Sequence, residues 1–393
     1  MEEWKEYKLG EISTMKYGKL PSSTKGGKYP LWSGYRYVGV SDIMNCPKDT
    51  LIVVARGVGG TGDVKVAKED CFLTNLSISV NLNKTICNPY YLYYKYLIKN
   101  LKYLDSGSAQ SQITIDALKN VSVILPPLSY QNKVISILKS LNDKIENNRK
   151  INENLEQQAQ ALFKSWFVDF EPFRDQPFVE SELGMIPEGW RVYSLPEIVN
   201  VYSGYSYKGS ELKESKNAMA TIKNFDRSGG FKVDGYKEIE LSDRIKTTQY
   251  ANLFDVIVAH TDLTQNAEII GNPALILNKN GYDKIIISMD LCKVVPKTSF
   301  IPNTLLYCIL NDSRFKQHAL GYVNGTTVLH LNKKALPDYK IALPCDLSNL
   351  FTITKAIDPL FRAESNNIIE SSRLSQLRDT LLPRLMSGEL SVK

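Results

Sequence analysis

Residues Leu125 to Phe170 read LPPLSYQNKVISILKSLNDKIENNRKINENLEQQAQALFKSWFVDF, and this stretch decides the architecture. Pro126 and Pro127 close whatever precedes them, because proline lacks the backbone donor that a ladder or helix needs. Ser129 is placed to cap a helix. Apolar residues then recur at alternating spacings of four and three: Val134, Leu138, Leu141, Ile145, then Asn148 and Asn152, then Leu155, Ala159, Leu162 and Trp166. A stripe with that period runs down one side of a helix and belongs against a second helix. The pattern predicts one helix over residues 128–170, about 60 Å long at 1.5 Å per residue. The two seam asparagines carry two readings. Buried, they fix register and partner at some cost in stability; otherwise they face solvent where the helices splay.

A mate for this helix is written further along. Between residues 347 and 386, Ile353, Ile357, Leu360, Ile368, Leu374, Leu377, Leu381 and Leu385 give an apolar face. Pro359 interrupts it, which predicts a kink, or a new helix with Asp358 as N-cap and Pro359 at N1. Antiparallel pairing would put the parts preceding each helix at opposite ends of a spacer. That spacer exceeds one turn of duplex DNA, roughly 34 Å. Leu138, Leu141, Ile145, Leu155, Leu162, Ile357, Leu374 and Leu381 are the candidates for pairing the helices and docking partners.

The chain is written twice. Trp4, Leu9, Glu11, Ile12 and Gly18 return as Trp190, Leu195, Glu197, Ile198 and Gly204 at an offset of 186. Pro89, Leu92, Tyr94 and Leu97 return as Pro302, Leu305, Tyr307 and Leu310 at 213, and Gly107, Leu118 and Pro126 as Gly325, Leu336 and Pro344 at 218. The order is kept and the offset only grows, which describes two homologous halves, each a globular part followed by a helical part. The expected division is a first globular domain over 1–127, a central helical spacer over 128–172, a second globular domain over 173–345 and a distal helical spacer over 346–393.

Inside the globular parts, short apolar runs such as Leu51–Ala55, Ser77–Leu82, Val121–Leu125, Val256–Ala259, Ala274–Leu277 and Ile285–Ser288 read as strands between glycine- and asparagine-rich turns. One helix per half is expected, around Pro89–Asn100 and Pro302–Leu310. The fold class is therefore α/β (α+β): two domains with twisted, mostly antiparallel sheets, two long antiparallel coiled-coil helices, and an internal pseudo-twofold repeat.

The net charge of +6 permits a nucleic-acid partner without demanding one. Six cysteines contain no C-x-x-C pair, and His260, His318 and His330 lie far from them, so no metal site is expected and reduced thiols in a cytoplasmic protein are. The opening MEEWKEYKLG has no apolar core of a signal peptide, and no run approaches the ~18 apolar residues of a membrane span.

Candidate DNA contacts come from polar loops that interleave cations with aromatics. Ser22–Tyr37 offers Lys25, Lys28, Tyr35 and Arg36. The second half offers Tyr205, Lys208, Lys223, Arg227, His260, Thr264 and Gln265. Cations meet phosphates, while amides, hydroxyls and imidazoles reach base edges. For any one residue the plainer alternative is a solvated loop.

Here a family resemblance becomes specific. Leu125–Phe170 resembles the central region of type I restriction–modification specificity subunits, and Leu377–Leu390 (LRDTLLPRLMSGEL) resembles their distal region. His260–Glu268 (HTDLTQNAE) is similar to a segment of one of their target-recognition types. The resemblance spans nearly the whole chain in the order reader, helix, reader, helix. It implies a non-catalytic subunit in which two readers bind the unlike halves of a split, asymmetric site on double-stranded DNA. It also implies that the helices dock two modification (methyltransferase) subunits and that restriction subunits join them. S-adenosylmethionine, ATP and Mg would then sit on those partners, with no cofactor in this chain.

Three other readings are weaker. Asn88-Pro89-Tyr90-Tyr91 has the look of an amino-methyltransferase motif, but its repeat partner, Ile301-Pro302-Asn303-Thr304, keeps the proline and loses the motif, and a helix start explains both. Gly57–Gly62 lacks the G-K-[ST] of a phosphate loop. Asp169 and Glu171 form a carboxylate pair with no nuclease-type lysine expected nearby. The alternative of another class is a coiled-coil scaffold without DNA recognition.

Overall fold

A computed structural model describes residues 4–21, 27–57, 60–106, 111–227, 229–264 and 266–392. The chain divides into two compact units: residues 1–144 with 374–393, and residues 145–373. The cut falls inside both long helices, because each helix end is built into a globular core. Among the described residues no helix is long and apolar enough to cross a membrane.

In the first unit, Lys5–Lys8 pairs antiparallel with Ser122–Leu125. A four-stranded antiparallel sheet follows, in the spatial order Ser13–Tyr17, Ser77–Leu82, Leu51–Val54, Val64–Val66. Its inner face buries Leu51, Val53, Ile78 and Val80 against Tyr91 and Leu92 of the helix Pro89–Ile98. A second, three-stranded sheet joins Arg36–Ser41, Tyr29–Ser33 and Phe72–Leu73.

The second unit repeats this plan. Trp190–Ser194 pairs with Lys340–Pro344. Its main sheet runs Val199–Ser203, Leu291–Pro296, Val256–Ala259, Pro273–Leu275, the same topology strand for strand. The aligned glycines do the same work in both copies. A Cβ on Gly18 would stand 2.1 Å from the Thr74 carbonyl oxygen, and one on Gly204 1.9 Å from that of Ser288. Only glycine lets the backbones approach so closely. The copies differ in the smaller sheet, which here has four strands: Lys237–Glu238, Asn217–Ala220, Lys284–Ile287 and Tyr250–Ala251. One helix per half undercounts this unit. Ser313–Leu320 follows Asn303–Leu310 at once, capped by the Asp312 carboxylate on the Arg314 N–H.

The first long helix spans Leu128–Phe167 and the second Phe351–Ser387. Ser129 lies inside the first turn, since the Gln131 N–H already donates to the Pro127 carbonyl at 3.1 Å. The buried Gln131 amide fastens that start by donating to the Ile86 and Pro126 carbonyls and accepting from the Asn88 N–H. The helix stops three residues before 170 because Phe170 turns left-handed, at φ 49°, ahead of Pro172. Pro359 starts no new helix: the second helix runs unbroken through it. Ile353, Ile357 and Phe361 around it are buried in the core of the second unit, and their burial outweighs the ~3 kcal/mol that an interior proline costs. The Asp358 carboxylate accepts from Arg362 and Thr304 rather than capping.

Of the two seam asparagines, Asn148 is buried and Asn152 half-buried, and both are bonded across the helix pair. Asn148, fully buried, donates from Nδ2 to Glu370 Oε2 at 2.7 Å, Ser371 Oγ at 3.2 Å and the Asn367 carbonyl at 3.4 Å. Asn367 Nδ2 donates to Asn152 Oδ1 at 2.8 Å. In the first unit, Arg378 donates to Asn142, and the Tyr130 hydroxyl donates to the Leu385 carbonyl. Within each unit residue numbers rise on one helix as they fall on the other, so the pairing is antiparallel.

Two expectations for the helices are corrected. Leu377 lies exposed rather than on the buried face. Leu138 and Ile357 are fully buried in the cores of the first and second units, and Leu162 and Leu381 pack on those same cores. Leu138 and Ile357 therefore hold the globular cores of their own units together and are not free to receive a partner. Leu141, Ile145, Leu155 and Leu374 are half-buried.

Candidate nucleic-acid interface

In the first unit, Tyr29–Ser33 and Arg36–Ser41 form a hairpin whose two-residue turn is Gly34-Tyr35. Gly34 takes φ +60°, a conformation glycine adopts without strain. The turn pushes Tyr35, Arg36, Tyr37 and Val38 into solvent. The Arg36 guanidinium lies 5.3 Å from the Tyr35 ring centre, and Lys28 lies 4.9 Å from that of Tyr29. The Lys65 ammonium comes in from the neighbouring sheet, 6.0 Å from both Trp32 and Tyr35, and donates to the Tyr35 carbonyl. Lys28, Tyr35 and Arg36 thus share one exposed hairpin. Lys65 is a cation that the local sequence did not point to, since only the fold brings it there. Lys25 lies outside the described residues. Gly60 gives the glycine-rich segment a packing role, because a Cβ there would meet the Tyr35 ring at 2.8 Å.

In the second unit, Lys223, Arg227 and Thr264 line one groove of about 450 Å³, together with Lys232, Asp226, Asp234, Asp262 and Leu263. Lys223 stands exposed on a one-turn 3-10 helix whose start is capped by the Thr221 hydroxyl. Arg227 pairs with Glu268, Nε to Oε2 3.4 Å. Asp262 is buried. Burial pushes its carboxyl up, but hydrogen bonds from Ile269, Thr264 and Ile270 outweigh this and hold it below its ordinary value. Gln265, from the same motif, lies outside the described residues.

Two further candidates are placed differently. Tyr205 is buried among Met219, Ile239 and Ile286. Its hydroxyl donates to Glu211 at 2.8 Å and accepts from Arg244 at 2.6 Å. It is a brace and not a DNA contact, because the Ser288 bridge draws it under the small sheet. The Lys208 side chain is exposed; its backbone N–H also donates to Glu211, whose carboxyl is held at about 2 by that bond and by Arg244. His260 is half-buried, with Nε2 buried and without a partner. Burial, and then the charge of Lys333, lower its pKa to about 4, so it is neutral at physiological pH and offers no charge to a phosphate.

The methyltransferase-like motif is a helix start. The Asn88 side chain accepts from the Tyr90 N–H, Pro89 occupies the first turn and Tyr91 is buried. Asp169 is ion-paired with Lys164 and Glu171 with Arg174, so a lysine does stand beside the pair, as its counter-ion at a helix end. All six cysteines are free, five of them buried.

Comparison with known proteins agrees with this picture. Residues 1–157 match the profile of the type I restriction modification DNA specificity domain. The type I restriction enzyme MjaIX specificity subunit of Methanocaldococcus jannaschii is 29% identical over 425 residues, covering 100% of this chain and 94% of the relative. The HindI specificity subunit of Haemophilus influenzae is 26% identical, covering 99% and 100%. The crystal structure of the type I restriction–modification S subunit from M. genitalium superposes with a TM-score of 0.64 at 18% identity, over 98% of this chain and 96% of that one, and so shares the fold. The chain is a duplicated α/β protein with paired helices, whose first copy matches the DNA specificity domain profile. Over nearly its whole length the chain is similar to type I restriction–modification specificity subunits.

Proposed function

We propose that this chain reads a split, asymmetric DNA site, one half with each reader, and docks modification subunits through its helices. The observation that carries the reading is the repetition of one sheet topology in both units while the outer sheet and its loops differ. A conserved frame with unlike contact loops suits two unlike half-sites. Lys28, Tyr35, Arg36 and Lys65 contact the first half-site. Lys223, Arg227 and Thr264 contact the second, with Lys208 at its edge and, as the loop sequence suggests, Lys25 and Gln265 joining them. Cations set affinity and register on the phosphates, and the uncharged side chains discriminate bases.

Methylation and cleavage belong to partners in this reading. S-adenosylmethionine is carried by two modification subunits, and ATP and Mg by restriction subunits. Single-molecule methylome sequencing of cells expressing the chain with its modification subunit tests the proposal. The expected result is a new methylated motif with two unlike halves and an unread gap. A stable complex that adds no methylation and binds no duplex specifically would favour a coiled-coil scaffold instead.

A further inference from the structure

The loop that follows Thr261–Asp262 in the second unit is held by two opposite charges, the buried Asp262 and the half-buried Lys316. Asp262, 1% exposed, accepts from the Thr264 N–H and Oγ1 at 2.8 Å each, the Ile269 N–H at 2.6 Å and the Ile270 N–H at 3.2 Å. From the other side, Lys316 of the helix Ser313–Leu320 donates to the Ala267 carbonyl at 3.0 Å, the Ile270 carbonyl at 2.7 Å and Asn272 Oδ1 at 2.7 Å. Ala267 is held left-handed at φ 54°, which a non-glycine residue adopts only where its surroundings impose it. Backbone on both sides of position 265 is therefore fixed before any ligand arrives.

This fixed segment presents an apolar side chain to water. Leu263, next to the caged Asp262, is 68% exposed and lines the groove that carries Lys223, Arg227 and Lys232. Folding does not ask for a leucine there, since it belongs to none of the buried clusters. We infer that Leu263 reads a base in the second half-site by apolar contact with the 5-methyl group of a thymine. The inference rests on the DNA-recognition reading and names one contact within it. A leucine makes no hydrogen bond, and in the major groove the one aliphatic group on a base-pair edge is the thymine methyl. The flanking cations bring the phosphate backbone to the groove. The Asp262 and Lys316 cage removes the ordering cost that a mobile loop would add on binding.

The test uses the complex of this chain with its modification subunit and duplexes carrying the methylome-derived motif. Each thymine of the motif is replaced in turn by deoxyuridine, which removes only the methyl. One replacement is expected to weaken binding by the wild-type complex about fourfold, the worth of one buried methyl-sized group. Leu263→Ala should bind the unmodified duplex about fourfold more weakly and be indifferent to that same replacement. Leu263 is exposed, so the variant keeps its fold. The contact is overturned if the wild type tolerates every replacement, or if Leu263→Ala still distinguishes thymine from uracil as the wild type does. A complex that binds no sequence specifically overturns the DNA reading together with this contact.

Discussion

Trp4 closes over Gly388: a Cβ on that glycine would stand 2.7 Å from Cζ2 of the indole. Gly388 directly follows the second long helix at φ +78°, and Phe170, its counterpart at the repeat offset of 218 and three residues past the first helix, takes φ 49°. Phe170 meets Trp190, the repeat counterpart of Trp4, edge to face at 5.4 Å. Each reader thus begins with a tryptophan packed on a left-handed residue that ends a long helix. Gly388→Ala should lower stability by about 1–3 kcal/mol, combining left-handed strain with the clash. Denaturant unfolding checks this; an unchanged midpoint would refute the packing.

Asn148→Asp places a second carboxylate 2.7 Å from that of Glu370 in a buried seam. Stability at pH 7 should fall by about 3–5 kcal/mol, the range for an uncompensated buried charge. The deficit should shrink as pH falls and either carboxylate takes a proton. A deficit independent of pH would mean the seam tolerates the charge by opening.

Much of this was legible in the sequence, because periodicity records burial. The 4-3 spacing located the first long helix to within three residues of its end, and the repeat offsets anticipated the shared topology. Pro359 misled because a local rule was overridden by the tertiary burial of Ile357 and Phe361. For the site, polar composition picked out loops but not depth: Tyr205 and Tyr35 are both tyrosines in cation-rich loops, one buried and one exposed. Lys65, Lys316 and Leu263 escaped because their meaning lies in strand pairing and loop caging, which leave no local pattern.

Glu364 gives a pH prediction. Burial, and then the charge of Glu156, raise its pKa from 4.5 to about 8. Between those values the folded chain holds a proton that the unfolded chain has released. Stability is therefore full below about pH 4.5, falls as pH rises toward 8 and levels off above it. The slope from this group is at most about 1.4 kcal/mol per pH unit. Glu364→Gln should flatten that part of the curve, and unfolding midpoints across pH 5–9 measure it. An unaltered slope would assign the proton elsewhere.

The charged contacts predict a salt dependence. Removing a cation that meets a phosphate should lower the slope of log binding constant against log salt by about 0.9, without changing the preferred sequence. Arg36→Ala in the first reader and Lys223→Ala in the second should each do this. A preserved slope would take that side chain off the DNA.

Leu138→Asp separates core from surface. Leu138 is fully buried in the first unit, so a charge there should cost about 3–5 kcal/mol and unfold that reader, not merely loosen the helix pair. Ile151→Asp, at a site 44% exposed on the same helix, should leave the fold intact. Limited proteolysis distinguishes the two, and equal susceptibility would contradict the assigned burial.

The core of the first reader includes Leu382, Leu385 and Met386, whereas the second reader is built from residues 145–373 without interruption. On the ribosome the order of completion is therefore reversed. The reader whose synthesis starts first must wait, its sheet lacking a wall, until residues about 240 positions downstream have emerged, while the other already has every segment it needs. A nonsense mutation between residues 374 and 382 would accordingly strike the opposite end of the gene product from where it falls, sparing the near reader and leaving the far one for proteases.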